Sequence, residues 1–433
     1  MKAANLDYAQ APRPAVVFGC LMPAPWLGAV AGLLLACGPA DGLPHRFAPL
    51  VLASVHALAL GMLLPVMLGA LFQMMAVIAR VPVPRVNWLA PFVAVSGAGM
   101  AAALAAGFLG VDRLAFRSAA VIGLFPVLIA ATLLTAGRRV ACVDPTTRTL
   151  AWIGAPLLAT LGAGIALAGV LGGWWSLPLP TVLSLHVAWG LGGWLGALVA
   201  GVSTTVLPMF WQAHQLPGPL QRCLPVVPWL LLLGFSAVAV TVQDEATSRY
   251  ALLPWLVFVV FLGSWMLAAV LRARRRHDPH WLLWPVAIGS MVGAAALTLL
   301  QMFQSGDSSV PWPWWIGVLA LVGGGVLPVT AMLGKIVPFL VWLHLRRMLP
   351  PRARVPVMQA IISPIRQRQQ SLFLLASFVV LLAVPLAPVW LARVGGLMFA
   401  VANAWLGYQL LTALRSMLRM RKQGGLPPRV PRD

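Results

Sequence analysis

The stretch FAPLVLASVHALALGMLLPVMLGALFQMMAVIARVPVP, residues 47–84, is an apolar run that carries one imidazole, His56, and ends in a basic segment punctuated by proline. A helix of this length exceeds the roughly 30 Å thickness of a bilayer core. Residues 177–219 and 311–351 repeat the pattern, since both carry prolines near each end and His186 follows His56 by 130 residues. The spacing predicts a repeat of about 130 residues; a chance likeness between Gly- and Pro-rich apolar runs is the alternative.

Composition identifies the class of protein. Of 433 residues, 61% are hydrophobic and only 9% are charged, which excludes a soluble fold and indicates an integral membrane protein. The net charge of +21 comes from loop residues that flank apolar runs, and it therefore indicates contact with lipid headgroups rather than nucleic acid. The four cysteines form no CxxC pair, so no zinc site or disulfide framework is predicted.

Twelve apolar spans of the length that crosses a bilayer are predicted, and the second, sixth and tenth are the long ones. We predict an all-α integral membrane protein with a single membrane domain over residues 1–433. Its three repeat units of four helices cover about 16–137, 150–271 and 281–414, and residues 421–433 form a disordered cytoplasmic tail. The spans fall near residues 16–38, 47–79, 89–111, 118–137, 150–172, 180–211, 225–243, 250–271, 281–302, 313–345, 370–392 and 396–414.

Basic residues predict the orientation. Of the 30 Lys and Arg residues, Lys335 falls inside a span and nearly all the others lie in loops on the side of the N terminus. This bias places both termini in the cytoplasm, as in a bacterial-type inner membrane. The loops on the opposite side hold only Arg46, Arg113, Arg117, Arg249 and Arg393.

The candidate chemistry lies in three ionisable side chains within the spans, namely His56, His186 and Lys335. All nine acidic residues fall in loops or tails, which argues against a proton-driven pump or symporter. Both histidines lie in the outer half of the bilayer, at matching places in two repeat units. An imidazole in lipid needs a metal or a hydrogen-bond partner, so either haem or copper ligation or a pair of interhelical hydrogen bonds explains them.

Several other residues of the spans can be interpreted either as functional or as structural. Glycines such as Gly61 and Gly193 leave room for a flat cofactor or allow close helix packing. Met62 and Met67 could be soft metal ligands or residues that fill the core, and the core role is favoured. Lys335 either extends its charge to the cytoplasmic surface or pairs with an anion or a haem propionate. His280 is predicted to lie in a solvated loop, and His344 at a basic membrane interface.

The segment HALALGM at His56 and the turn PVPRVNW at residues 82–88 resemble catalytic subunit I of the haem-copper oxidases and nitric oxide reductases. A similar HALxxG pattern occurs in haem- and copper-containing membrane proteins of nitric oxide stress. The resemblance implies twelve helices in three units of four. It further implies a low-spin haem ligand at His56 and, on helix 6, a copper ligand at His186.

The sequence departs from that family at its dinuclear centre. His186 is followed by Val187, Ala188 and Trp189 instead of the HPEVY sequence, and helix 7 has no histidine. We therefore expect a single haem b, or less readily copper, held by one or both of His56 and His186. The expected role is in respiration or nitrosative-stress handling, with other respiratory-chain membrane proteins as partners, and whether the protein is an enzyme stays open. The alternatives are a permease in which Lys335 attracts an anionic solute, and a membrane partner without a cofactor.

Overall fold

The structure, a computed structural model, describes residues 10–242, 249–304 and 310–425. Its regular elements in these ranges are helices, eleven of which are long and apolar enough to cross a membrane, and a twelfth apolar helix is shorter. In chain order they are α1 Pro14–Cys37, α2 Pro49–Val77, α3 Val86–Phe108, α4 Arg113–Gly137, α5 Pro145–Leu171, α6 Leu179–Trp211, α7 Val227–Thr241, α8 Leu253–Leu271, α9 Leu283–Met302, α10 Trp312–Met348, α11 Pro364–Leu386 and α12 Pro388–Gln423.

The predicted multi-pass helical class is confirmed, and several predicted boundaries are wrong. The helix expected at 225–243 has 15 residues, Val227–Thr241, which at 1.5 Å each span only about 22 Å. The break expected near residue 394 lies instead at Ala387, because α12 begins with Pro388. At the first position of a helix a backbone N–H would have no partner within the helix, so proline loses no hydrogen bond there. Helix α12 also continues to Gln423, beyond the predicted start of the tail, and residues 426–433 lie outside the described ranges.

Prolines explain where the three long helices begin. Pro49, Pro180 and Pro313 lie in the first turns of α2, α6 and α10, where a fixed φ favours the helix and no backbone hydrogen bond is lost. The three helices end before the next prolines of the sequence, Pro82, Pro217 and Pro350. The proline punctuation of the three runs therefore marks true helix limits.

Each of these three helices is interrupted by a π-helical segment at a corresponding place. The segments are Ala57–Leu63 in α2, Ala188–Gly196 in α6 and Val318–Val326 in α10. In α2 and α10 a proline, Pro65 or Pro328, is the second residue after the segment. A proline ring clashes with the carbonyl four residues earlier, and the wider π turn relieves that clash.

The three π segments meet inside the bundle. A Cβ added at Gly325 in α10 would lie 3.0 Å from a Leu63 methyl in α2 and 3.3 Å from a Leu195 methyl in α6. Burial is uneven, however. In the most apolar 18 residues of each helix, 72% are buried in α10 and 67% in α2, but only 33% in α6. Helices α2 and α10 therefore form the core, and α6 shows one face to the exterior.

Charged side chains mark one end of the bundle. The end that carries Arg80, Arg138, Arg222 and the run Arg274–Arg276 is called here the arginine-rich end. Helices α2, α6 and α10 begin at the opposite end and finish at this one. The four acidic residues within the described ranges lie outside the helices, as predicted, and they are Asp41, Asp112, Asp144 and Asp278.

Candidate functional site: a histidine pair near the start of α2 and α6

His56 lies two turns into α2, seven residues after Pro49 and directly before the π segment. Its Nδ1 is 2.7 Å from the carbonyl oxygen of Leu52, one turn earlier in the same helix. The ring of Phe108, at the end of α3, lies beside the imidazole with the ring centres 5.3 Å apart. The aromatic neighbour and the carbonyl together limit the rotation of the imidazole.

His186 occupies the corresponding place in α6, seven residues after Leu179. Its Nδ1 is 3.0 Å from the carbonyl oxygen of Thr160 in α5. Gly164, one turn further along α5, allows this approach, because a Cβ there would lie 3.1 Å from Cε1 of the imidazole. The sequence indicated neither Thr160 nor Gly164 as part of the site, since a backbone carbonyl leaves no signature in residue type.

The structure brings the two histidines together. The centres of their rings are 6.4 Å apart and the ring planes differ by 10°. Both side chains are half-buried. Since each lies seven residues, about 10 Å, inside its helix, the pair occupies one depth in the outer half of the span as counted from the end opposite the arginines.

The hydrogen bonds determine the tautomer of both rings. A backbone carbonyl only accepts hydrogen bonds, so each Nδ1 must carry the proton that it donates. In a neutral imidazole the other nitrogen, Nε2, then carries a lone pair. Among the described residues neither Nε2 has a hydrogen-bond partner. This is the arrangement that metal-binding histidines adopt, with the second ring nitrogen fixed by a carbonyl.

The distance between the two ring centres can be compared with that of two imidazoles bound to one ion. Imidazoles that bind an ion from opposite sides at about 2.0 Å each place their ring centres roughly 6 Å apart, because each centre lies about 1 Å behind its nitrogen. A tetrahedral angle would shorten that separation to about 5 Å. The observed 6.4 Å is closer to the opposed separation than to the tetrahedral one, and the two ring planes are near-parallel. No group of three or more His, Cys, Asp or Glu side chains in the described ranges is placed to hold an ion.

Gly61 and Gly193, which lie in the π segments of α2 and α6, do not leave an open slot. A Cβ at Gly61 would lie 2.9 Å from Leu27, and one at Gly193 would lie 2.6 Å from the ring of Trp189. Met62 is fully buried, with its sulfur against Gly28. Close packing explains these residues, and the cofactor slot expected beside Gly61 and Gly193 is filled by side chains.

Lys335 lies far from the histidine pair, near the arginine-rich end. Its Nζ forms an ion pair with Asp278, in the loop between α8 and α9, and lies 5.8 Å from the ring centre of Trp211. Both partners are mostly buried, with 20% and 16% of their side chains exposed. The lysine charge is therefore compensated within the protein.

Two histidines that the sequence predicted to be solvated or interfacial, His280 and His344, are buried. His280 is 1% exposed and its Nδ1 lies 2.9 Å from the hydroxyl oxygen of Ser371. Burial, together with the positive charge of Lys335, lowers the pKa of His280 from 6.5 to about 4, and Asp278 partly opposes the shift. His344 is 4% exposed and packs against Phe18. The prediction of solvated positions failed because the 272–282 loop folds against the helix ends, where the Arg275 amide donates to the Trp211 carbonyl.

Comparison of the chain with protein-family models, with curated proteins and with solved structures finds no significant match. The fold therefore defines the class, a multi-pass α-helical membrane protein, in which His56 and His186 lie side by side.

Proposed function

We propose that this chain is a membrane protein in which His56 and His186 together would hold one transition-metal centre. The observation that carries the proposal is the near-parallel pair of imidazoles, 6.4 Å apart, with both Nδ1 atoms bonded to carbonyls. The hydrogen bonds to the Leu52 and Thr160 carbonyls satisfy only one nitrogen of each ring, and an unpaired polar atom within a membrane span is unfavourable. A shared ion satisfies both remaining nitrogens.

Copper fits the site more readily than haem b, which reverses the order expected from the resemblance. Imidazole nitrogen suits copper, and copper(I) accepts two nitrogen ligands in a linear arrangement. Haem iron has the same axial requirement, yet its macrocycle needs a slot across the line between the rings. The glycine faces that would supply the slot are covered by Leu27 and Trp189. Haem b would therefore require these side chains to move.

A bound copper or haem iron would supply one-electron chemistry, which suits a role in respiration or nitrosative-stress handling. The resemblance of HALALGM and PVPRVNW to oxidase subunit I supports that role. The protein's own residues would fix the two rings: Thr160 holds the His186 imidazole, Leu52 and Phe108 hold that of His56. Two histidine ligands do not make a dinuclear centre, so binding, sensing or electron transfer is favoured over oxygen reduction.

We infer in addition that the bundle consists of twelve crossings in three units of four helices, about 16–137, 150–271 and 281–414, in a bacterial-type inner membrane with both termini cytoplasmic. The π segments support the units, since they begin at Ala57, Ala188 and Val318, at intervals close to 130 residues. In the third unit, Ile316 stands 130 residues after His186. The metal site accordingly belongs to two units only.

The permease alternative depends on a free positive charge at Lys335. Because Asp278 already pairs with that ammonium, an anionic solute would have to displace a carboxylate held by the same protein. The ion pair therefore favours a structural role for Lys335.

The proposal is tested by loading purified protein with copper(I) under reducing conditions and, separately, with haem b. Bound metal is measured per chain and the Soret region is recorded. We expect about one copper per chain in the wild type and in His45→Ala, an exposed histidine at the same end of the bundle. His56→Ala and His186→Ala should each lose it. A Soret band lost in the same two variants would assign haem instead, whereas binding of neither group, or binding that both variants retain, would overturn the proposal.

A further inference from the structure

The 272–282 loop, which joins α8 to α9, is fastened to three other helices at the arginine-rich end. One contact is a backbone hydrogen bond of 3.1 Å, one is an ion pair and one is a side-chain hydrogen bond of 2.9 Å. In that order they join Arg275 to Trp211 of α6, Asp278 to Lys335 of α10 and His280 to Ser371 of α11. The loop therefore connects the last residue of α6 with α10 and α11.

The imidazole of His280 is the most buried of the loop side chains that make these contacts, with 1% of the residue exposed. It fills a seat on α10 that exists because residue 334 is glycine. A Cβ at Gly334 would overlap Nε2 of the ring and lie 2.7 Å from both Cδ2 and Cε1. The carbonyl of Gly334 accepts a hydrogen bond from the side-chain amide of Gln367 in α11, so α10 and α11 build the seat together.

The seat suits a neutral imidazole. Nε2 of His280 is enclosed by protein atoms and has no hydrogen-bond partner within the part of the chain that the structure describes. The charged groups that face the ring are Lys335 of α10 and Asp278 of its own loop, whereas α11 presents the neutral hydroxyl of Ser371. Burial and then the lysine charge lower the pKa of His280 from 6.5 to about 4, and Asp278 partly opposes them. The surroundings that enclose the ring therefore disfavour its protonated form.

We propose that the 272–282 loop is an acid-sensitive latch: the neutral ring of His280 holds the loop on α10 and α11, and uptake of a proton by that ring releases it. In solvent a histidine takes up a proton near pH 6.5, so the released loop binds a proton that the docked loop excludes. Docking is fully favoured above about pH 6.5 and weakens as the pH falls towards 4. Release also withdraws Asp278 from Lys335, which uncovers the lysine charge at the arginine-rich end. The latch does not depend on a metal at the histidine pair.

Hydrogen exchange of the purified protein, followed by mass spectrometry, measures release of the loop. The protection factor of the amides in residues 272–282 is the exchange rate of an unstructured chain at the same pH divided by the measured rate. We expect this factor to fall about thirtyfold between pH 8 and pH 5, because the released loop gains a proton in that interval. Protection of the core helix α2 should stay constant. Unchanged protection of the loop, or an equal fall in α2, would overturn the proposal.

Three variants assign the response to the His280 ring, with thermal unfolding as the check that each is folded. His280→Gln removes the titrating group and should give the same protection of the loop at pH 8 and pH 5. His277→Gln is the matched control, since His277 is an exposed histidine of the same loop, and it should respond to pH as the wild type does. Gly334→Ala fills the seat and should lower protection already at pH 8. A pH response retained in His280→Gln or lost in His277→Gln, or wild-type protection in Gly334→Ala, would contradict the latch.

Discussion

The imidazole of His186 is positioned by a carbonyl and by the absence of a side chain at Gly164. The ring would have to shift by a few tenths of an ångström to accept a Cβ there, since the contact with Cε1 would be 3.1 Å. Such a shift disturbs the hydrogen bond to the Thr160 carbonyl and changes the position of the ring relative to that of His56. The geometry of the pair therefore depends on a residue that carries no functional group.

Gly164→Ala should reduce copper or haem occupancy several-fold while the protein remains folded, because alanine itself favours the helix. Gly162→Ala, two residues earlier on α5 and facing open space, is the matched control and should bind as the wild type does. Metal content per chain and thermal unfolding are measured on the same preparations. Equal occupancy in both variants would remove Gly164 from the site.

The ion pair between Lys335 and Asp278 separates a structural role from a transport role for the lysine. Lys335→Met leaves a mostly buried carboxylate without its partner, and we expect a loss of about 1–3 kcal/mol of stability, less than for a fully buried pair. Adding Asp278→Asn should recover part of that loss. Thermal unfolding of both single variants and the double variant measures the coupling. If substrate uptake into vesicles fails in Lys335→Met while stability is unchanged, the permease alternative is favoured.

Among the helices, α10 shows how a proline is accommodated in a buried span. Pro338 has no N–H, so the carbonyl of Gly334, four residues earlier, loses its usual donor. The side-chain amide of Gln367 in α11 supplies that hydrogen bond at 3.2 Å. The polar start of α11, which the hydropathy pattern excluded from the span, is therefore used to satisfy the interior of α10.

Gln367→Leu should lower the free energy of unfolding by about 1–2 kcal/mol, since it leaves the Gly334 carbonyl without a donor. In a Pro338→Ala background the restored backbone N–H bonds to that carbonyl, and the same substitution should then have a much smaller effect. The four thermal unfolding curves of this cycle test the assignment. Additive effects of the two substitutions would contradict it.

At the scale of the whole molecule, the four cysteines report on the orientation of the bundle. Cys37 is exposed at the end of α1, away from the arginine-rich end, whereas Cys142 and Cys223 are exposed at the arginine-rich end, and Cys20 is buried. All four are free thiols. The charge bias therefore predicts from which side each one is accessible.

In single-cysteine variants, a membrane-impermeant maleimide applied outside intact cells should label Cys37 and leave Cys142 and Cys223 unlabelled. The latter two should react after the membrane is opened, and Cys20 only after unfolding. Labelling is read by a mass shift on gels. Outside labelling of Cys142 or Cys223 would reverse the orientation or change the number of crossings.

Local chemistry determined what could be predicted from the sequence alone. The length and hydropathy of the runs, the proline limits of α2, α6 and α10, and the absence of acidic residues from the spans are properties of consecutive residues. The 130-residue spacing also singled out His56 and His186 as a pair. The boundary between α11 and α12 was missed because hydropathy continues through Pro388, and a proline in an apolar run does not by itself separate a helix start from a kink.

Only the tertiary structure decided which distant groups meet. The carbonyl of Thr160 behind His186, the pairing of Lys335 with Asp278 and the side chains that cover Gly61 and Gly193 all depend on which helices are neighbours and how they are rotated. In lipid, nearly every outward or inward face of these helices is apolar, so the amphipathic pattern that reveals facing residues in a soluble protein is weak. Sequence therefore determined a membrane bundle with two matched histidines, and packing decided that their rings lie 6.4 Å apart in near-parallel planes.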